Sequence, residues 1–418
     1  MTMSHFVLES AAKLSINMAR LGARLDALGS VGAIAGGGVC RLALSEEDRM
    51  GRDLVVRWMR ELGLSVSIDA IGNVIGLRPG TEPGPPVMTG SHIDTVRTGG
   101  RYDGNLGVLA GLEVIQVLNE SGIKTRRALA VAFFTNEEGA RFNPDMMGSL
   151  VYVGGLKLED ALATVGIDGA TVGDCLQRIG YAGTAGGGEA SVHAYLELHV
   201  EQGPVLETEG FTVGAVQGVQ GISWTEFTLL GVSNHAGTTP MRLRHDAGFV
   251  ACAIAQYARQ IASEMGGNQV ATVGALNLSP NLVNVIANKA VFTVDLRNTD
   301  EAALQEAERR LHARADELAA AEGVSLSHRK LARFEPVGFD PASVDLVEET
   351  AQRLGFSVKR LPSGAGHDAQ MLARICPTAM IFVPSAGGIS HNVKEYTKPS
   401  DLEAGANVLL QTLLQLAS

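Results

Sequence analysis

The chain has little of what would tie it to nucleic acid, to a membrane or to a disulfide framework. Its 418 residues carry 34 Lys and Arg against 45 Asp and Glu, for a net charge of −11. Phosphate binding needs a basic field, and no basic cluster supplies one, so nucleic-acid partners are excluded. An anionic substrate would need local basic residues. Only four cysteines occur, Cys40, Cys175, Cys252 and Cys376, far apart and with no CxxC pair. That argues against a disulfide framework and a thiolate zinc site, and favours a reducing, cytoplasmic setting. No window reaches the roughly 20 apolar residues of a membrane span, so no membrane association is expected. The opening segment, "MTMSHFVLESAAKLSINMARLGARLDAL", lacks a long apolar core and a small-residue cleavage site. It reads as an amphipathic surface helix rather than a signal peptide. What the chain does have is apolar content: 45% hydrophobic residues against 19% charged, enough at this length to bury the cores of two domains.

From residue 50 to about 215, helix-like segments alternate with short apolar runs, among them "PVMTGSH" and "ALAVAFFTNEEG". Continuous apolar strands between helices predict a parallel or mixed sheet covered on both faces. Ligands of such sheets gather at the carboxyl ends of strands. "GSHID" and "TNEEG" stand at two of these ends. Residues 220–331 follow a different order: a strand at "SWTEFTLLGV", a helix from about Asp246 to Met265, strands at "VATVGALNL" and "NVIANKAVFTVDLRN", a helix from about Glu301 to Glu322, and a strand at "VSLSHRK". This βαββαβ order is that of a small ferredoxin-like domain, inserted into a first domain made of residues 1–219 and 332–418. After residue 332 the alternation resumes with "PTAMIFVPSAGG", and "SHNVKEYT" returns a histidine to the sheet edge.

Five metal-type side chains collect at these strand ends: His92, Asp103, Glu138, His199 in "ELHVEQG" and His391 in "GGISHNV", with Glu137 and Asp94 beside them. Carboxylate and imidazole without thiolate suit zinc, manganese, cobalt or nickel. Five protein ligands exceed what one open catalytic ion takes, so two ions sharing a bridging carboxylate is the economical arrangement. Of the adjacent Glu137 and Glu138, one would ligate and the other would take a proton from water as general base. Singly, a strand-end histidine is most often a hydrogen-bonding cap and paired glutamates a solvated turn. The functional reading rests on their coincidence.

The stretches "GSHIDTV", "YDGNLGVLAG", "TNEEGARF", "ELHVEQGPVLE", "SNHAGTTPMRLRHDA", "NVIANKAVFTVDLRN", "SGAGHDAQ" and "GISHNVKEYT" resemble, in order and along nearly the whole chain, the motifs of M20-type metallohydrolases. The resemblance is to the hydantoinase/carbamoylase amidases: N-carbamoyl-L-amino-acid hydrolases, β-ureidopropionases and allantoate amidohydrolases. It implies an α/β fold, a mixed-sheet di-metal catalytic domain with an inserted ferredoxin-like lid and dimerisation domain, and hence a homodimer. The 11-residue spacing of His92 and Asp103, shorter than in the family's peptidases, and a histidine at position 199 point to the carbamoyl branch.

Carried over to this sequence, the resemblance implies Asp103 as the bridging ligand, His92 and His199 on one metal, Glu138 and His391 on the other, and Glu137 as general base. Asp94 would orient the ligating His92. His235 would stabilise the oxyanion, Arg297 and Asn284 the substrate carboxylate and its surroundings, and Gln202 the carbamoyl end. Read without the resemblance, Arg297 is a surface strand arginine and Asn284 a turn residue. His367, with Asp368, opens a predicted short helix and is given a substrate-binding role. "GGGVCRLALSEED" reads as a loop that could border substrate, with "SEED" as a helix start.

The expected reaction is hydrolysis of an N-carbamoyl amino acid or related ureido acid to amino acid, ammonia and carbon dioxide, with two divalent ions per subunit (Zn, Mn, Co or Ni). Closure of the inserted domain is expected to complete the site, and His235 could serve a neighbouring subunit. Allantoate hydrolysis and M20-type peptidase or aminoacylase activity are the alternatives. A non-catalytic binding protein of the same fold is disfavoured by Glu137, because a ligand sensor has no need of a free base.

Overall fold

The computed structural model describes residues 14–185 and 191–418. The chain divides into two compact units, Met1–Gln217 with Phe339–Ser418, and Gly218–Gly338. The opening amphipathic segment is described only from residue 14; its earlier part lies outside the described residues. A helix runs over Met18–Gly29, capped by Asn17, with Leu21, Leu25 and Leu28 buried. Ser45 caps the next helix, Glu46–Glu61, by accepting from the Asp48 N–H, the helix start that "SEED" predicts.

In chain order the first unit contributes strands β1 (Ser65–Ile68), β2 (Val74–Arg78), β3 (Val87–His92), β4 (Leu129–Phe134), β5 (Ala194–Val200) and β6 (Val213–Val219). The inserted unit follows with β7 (Gly221–Leu230), β8 (Val270–Ser279), β9 (Lys289–Asn298) and β10 (Ser325–Phe334). Then come β11 (Val337–Gly338), β12 (Val358–Ser363) and β13 (Thr378–Val383). The large sheet has nine strands in the order β1-β2-β4-β3-β5-β13-β6-β11, with β12 beside β6. Its centre, β4-β3-β5-β13, is parallel, while β2 joins β4 and β6 joins β13 antiparallel. All residues of β3, β4, β5 and β13 are buried. This is why the sequence shows them as unbroken apolar runs rather than alternating ones. The helix Asn105–Glu120 is buried almost all round, and its one carboxylate in mid-helix, Glu113, is paired with Arg20 at 2.7 Å.

The inserted unit is an antiparallel sheet in the order β10-β7-β9-β8 with two helices, Ala247–Met265 and Glu301–Glu322, capped by Asp246 and Asp300. Phe227, Leu229, Phe292 and Val294 of the sheet pack with Val250, Ile254, Leu304 and Leu311 of the helices. Two boundaries differ from the sequence expectation. β9 starts at Lys289 rather than near Asn284, because Val285 bridges to His235 and the Ile286 N–H donates to the Asn234 carbonyl, making residues 284–286 a paired loop. β10 passes residue 331 to Phe334, which lies opposite Ile222 of β7. No helix among the described residues is long and apolar enough to cross a membrane.

Candidate active site

The four parallel strands end on one edge, and each end delivers chemistry. His92 is the last residue of β3, Glu137 and Glu138 follow β4, and His199 is the penultimate residue of β5. Ser390 and His391 follow β13 on a longer loop. Asp103 comes from the turn before the helix Asn105–Glu120, held by Glu395, whose Oε1 accepts from the N–H groups of Tyr102 and Asp103 at 2.9 and 3.1 Å. Gly104 follows at φ +64°, where a Cβ would stand 2.4 Å from the His92 ring; only glycine lets Asp103 and His92 come this close.

Asp103 stands at the centre. Its Oδ1 lies 3.5 Å from His92 Nε2 and 3.2 Å from His199 Nε2. Its Oδ2 lies 3.4 Å from His391 Nε2, which in turn is 3.2 Å from Glu138 Oε2. Two groups that can hold an ion therefore share one carboxylate: His92, Asp103 and His199, and Asp103, Glu138 and His391. Ligands at about 2.0–2.1 Å from a tetrahedral ion stand about 3.3 Å from one another, and these N···O separations match that edge. Electrostatics agrees. Burial opposes charge on His92 and His199, yet the surrounding carboxylates raise both above the usual imidazole value. Hydrogen bonds to Asp103 and Glu138 lift His391 to about 10. Against burial, the three imidazoles hold Asp103 well below the carboxylate range. Such a cluster is short of positive charge, and divalent ions supply it in place of protons. A third group, Glu197, His199 and His367, is already committed: Glu197 accepts from Ser91 Oγ at 2.6 Å and the Ala369 N–H at 2.9 Å, and His367 Nε2 pairs with Ser363 Oγ at 2.8 Å.

Glu137 is buried beside His92, its Oε2 3.3 Å from Nε2. Burial, then the neighbouring carboxylates, push its carboxyl well above the usual range, with His92 opposing, the direction a general base working near neutral pH needs. Asp94 contacts His92 through its main chain: His92 Nδ1 meets the Asp94 carbonyl at 2.9 Å. The Asp94 carboxylate accepts from the Glu137 and Glu138 N–H groups, both at 3.3 Å. The turn after β4 brings those donors to Asp94, so the side chain fixes the two glutamates.

Gln202 donates to Asp103 Oδ2 at 2.8 Å, while its Oε1 is buried without a hydrogen-bond partner among the described residues. His367 lines the same pocket as the ligands, edge-on to His199 at 4.6 Å, and burial holds it well below the usual value, hence neutral. His235, Asn284 and Arg297 belong to the inserted unit. There the His235 and Asn284 loops are paired, the Ala236 N–H donating to the Asn284 carbonyl. His235 Nδ1 accepts from the N–H groups of Gly237 and Thr238 at 3.1 and 3.2 Å, which places its proton on Nε2. Arg297 is ion-paired with Asp295 at 2.9 Å and lies over Trp224. Sequence reasoning misses Glu197, Glu395 and Asp145. A glutamate between apolar residues in the fully buried strand β5 is the one signal that points to Glu197.

The profile of Peptidase family M20/M25/M40 matches residues 88–415, and the chain belongs to that metal-dependent family. Within it, the N-carbamoyl-L-amino-acid amidohydrolase of Rhizobium meliloti is 43% identical over 403 residues, spanning 96% of this chain and 97% of that one. The N-carbamoyl-L-amino acid amidohydrolase of Geobacillus stearothermophilus is 41% identical over 95% and 98%. The crystal structure of a hydantoinase/carbamoylase family amidase from Burkholderia multivorans superposes with a TM-score of 0.95 at 45% identity, over 96% and 98%.

Proposed function

We propose that the chain is a metal-dependent amidohydrolase that cleaves the N-carbamoyl group of amino acids, giving the amino acid, ammonia and carbon dioxide. The carrying observation is Asp103, with one oxygen toward His92 and His199 and the other toward His391. The choice of a carbamoyl group over a peptide rests on the near-full-length likeness to the two amidohydrolases.

His92, Asp103 and His199 would hold one divalent ion and Asp103, Glu138 and His391 a second, each Zn, Mn, Co or Ni. Bound ions polarise the scissile carbonyl and acidify water. Glu137 takes the proton of the attacking water and returns it to the leaving nitrogen. Gln202 Oε1 accepts from the ureido end. His235, protonated on Nε2, donates to the developing oxyanion, a contact worth roughly 3 kcal/mol. Arg297, exchanging Asp295 for the substrate, and Asn284 recognise the carboxylate, and His367 forms neutral pocket wall. The inserted unit, with its strand order 4-1-3-2 and two helices, is a ferredoxin-like lid that also forms the homodimer contact. In support, the edge strand β8 exposes Val270 and Leu276, and the adjoining helix exposes Phe249. Four unpaired cysteines support a cytoplasmic location.

The test is ammonia release from N-carbamoyl-L- and D-amino acids, β-ureidopropionate, allantoate and dipeptides, with Mn, Co, Ni or Zn added. Ammonia from an N-carbamoyl amino acid, with no cleavage of dipeptides, is expected. Dipeptide cleavage without ammonia release from any ureido acid contradicts the reading.

A further inference from the structure

Asp145 lines the pocket together with His92, Asp103, Glu137, Glu138 and Gln202, and none of the roles above uses it. Its place is built by the turn after β4. The Met146 N–H donates to the Glu137 carbonyl at 2.8 Å, and Asn136 Nδ2 donates to the carbonyls of Phe142 and Pro144 at 2.9 and 3.1 Å. The loop therefore closes on itself directly behind the two glutamates. Gly139, at φ +63°, lies so close that a Cβ there would stand 2.9 Å from the Asp145 Cβ. The carboxylate takes a hydrogen bond from its own main-chain N–H and has Glu138 as its charged neighbour, and burial pushes it up. Among the described residues no lysine or arginine lines the pocket, and Arg141, four residues before Asp145, is spent on Asp168 at 2.7 Å and the Ala43 carbonyl at 2.9 Å.

A fixed, part-buried carboxylate with no lysine or arginine beside it in the pocket gains from any hydrogen-bond donor a ligand brings to it. The ligand's own carboxylate would be repelled, so the partner must be an N–H-bearing end. Among acylated amino acids, a ureido group offers a terminal NH2, whereas a formyl or acetyl group offers none. We propose that Asp145 is a specificity residue that accepts hydrogen bonds from the terminal ureido amino group, selecting N-carbamoyl over other N-acyl amino acids. The inference rests on the proposed function and sharpens it: Gln202 Oε1, buried without a hydrogen-bond partner among the described residues, would be the second acceptor for the same nitrogen.

The experiment compares metal-loaded wild type with Asp145→Asn and Asp145→Ser on an N-carbamoyl-L-amino acid and on the N-formyl derivative of the same amino acid. For the carbamoyl substrate kcat/KM should fall about tenfold or more, while for the formyl compound it should stay within about twofold. Affinities of both ligands, measured calorimetrically with and without Asp145→Asn in a metal-loaded Glu137→Gln background, give a readout independent of turnover and should split in the same way. Equal losses for the two ligands, or no loss for either, in a wild type that does release ammonia from the carbamoyl substrate overturn the Asp145 role alone. A wild type that neither cleaves nor binds the carbamoyl compound overturns the proposed function and this inference together.

Discussion

Asp103 is the residue on which the site turns: buried, yet kept ionised by three imidazoles and by Gln202. Burial alone would neutralise a carboxylate there. Its neighbours have separable jobs. Glu137 is not among the residues that share Asp103, so Glu137→Gln should leave metal content intact and lower kcat by roughly 10²–10⁴-fold. Metal analysis and ammonia release on the same preparation check this, and a fully active variant would remove Glu137 as the base. Gly104 has the opposite profile. Alanine there meets both a left-handed backbone, at roughly 1–3 kcal/mol, and the His92 ring at 2.4 Å. Gly104→Ala should weaken binding at the His92 and His199 position more than at Glu138 and His391, as resolved by metal titration. At this scale much was legible. His92, Glu137, Glu138 and His199 stand at ends of apolar runs, where an ionisable residue is conspicuous. Glu395 and Asp145 were not, since each matters only through a chain reversal that brings it to Asp103 or into the pocket. The two-residue spacing of His92 and Asp94 does not say whether main chain or carboxylate makes the contact; it is the Asp94 carbonyl that meets His92.

At the scale of elements, the site depends on holding the end of β3 against the start of the helix Asn105–Glu120. Arg41 does this from the N-terminal loop. Fully buried, it donates to the carbonyls of Leu28, Val31 and Ile93 at 2.7–2.8 Å and to Asn105 Oδ1 at 2.8 Å. Burial lowers its guanidinium to about 10, with Asp48 and Asp94 opposing. Arg41→Leu leaves those acceptors unsatisfied, at about 1–3 kcal/mol each, and should lower the unfolding free energy by about 3 kcal/mol or more. Urea denaturation measures this; a loss under about 1 kcal/mol would show that the loop is held by other contacts. In the sequence this stretch reads as a loop that could border substrate, but nothing in the local pattern marks Arg41 as buried. In contrast, the helices Ala247–Met265 and Glu301–Glu322 were readable almost to the residue, since Asp246 and Asp300 are N-caps with strong local chemistry. The start of β9 was not, because a loop-to-loop pairing decides it.

For the whole molecule, the insertion of one compact unit into another was visible as a change of strand pattern near residues 220 and 331. The return boundary falls later, after Gly338: pairing with β7 carries β10 to Phe334, and Val337 and Gly338 then pair with Val219 and Gly218. Metal is expected to act on the entire first unit, since its ligands come from the ends of strands far apart in sequence. Ions that bind the folded state alone add about 2.7 kcal/mol at a hundredfold excess over Kd. Chelation should therefore lower the Tm, and Mn or Zn should restore it; a Tm unmoved by chelator in protein shown to have lost its metal would contradict this coupling. The most direct test of the shared carboxylate is metal stoichiometry at equilibrium, by titration of metal-free protein. Wild type should bind two ions per chain, His391→Ala about one, and Asp103→Ala should lose high-affinity binding at both positions. One ion per chain in wild type, or two retained by Asp103→Ala, would contradict a shared carboxylate.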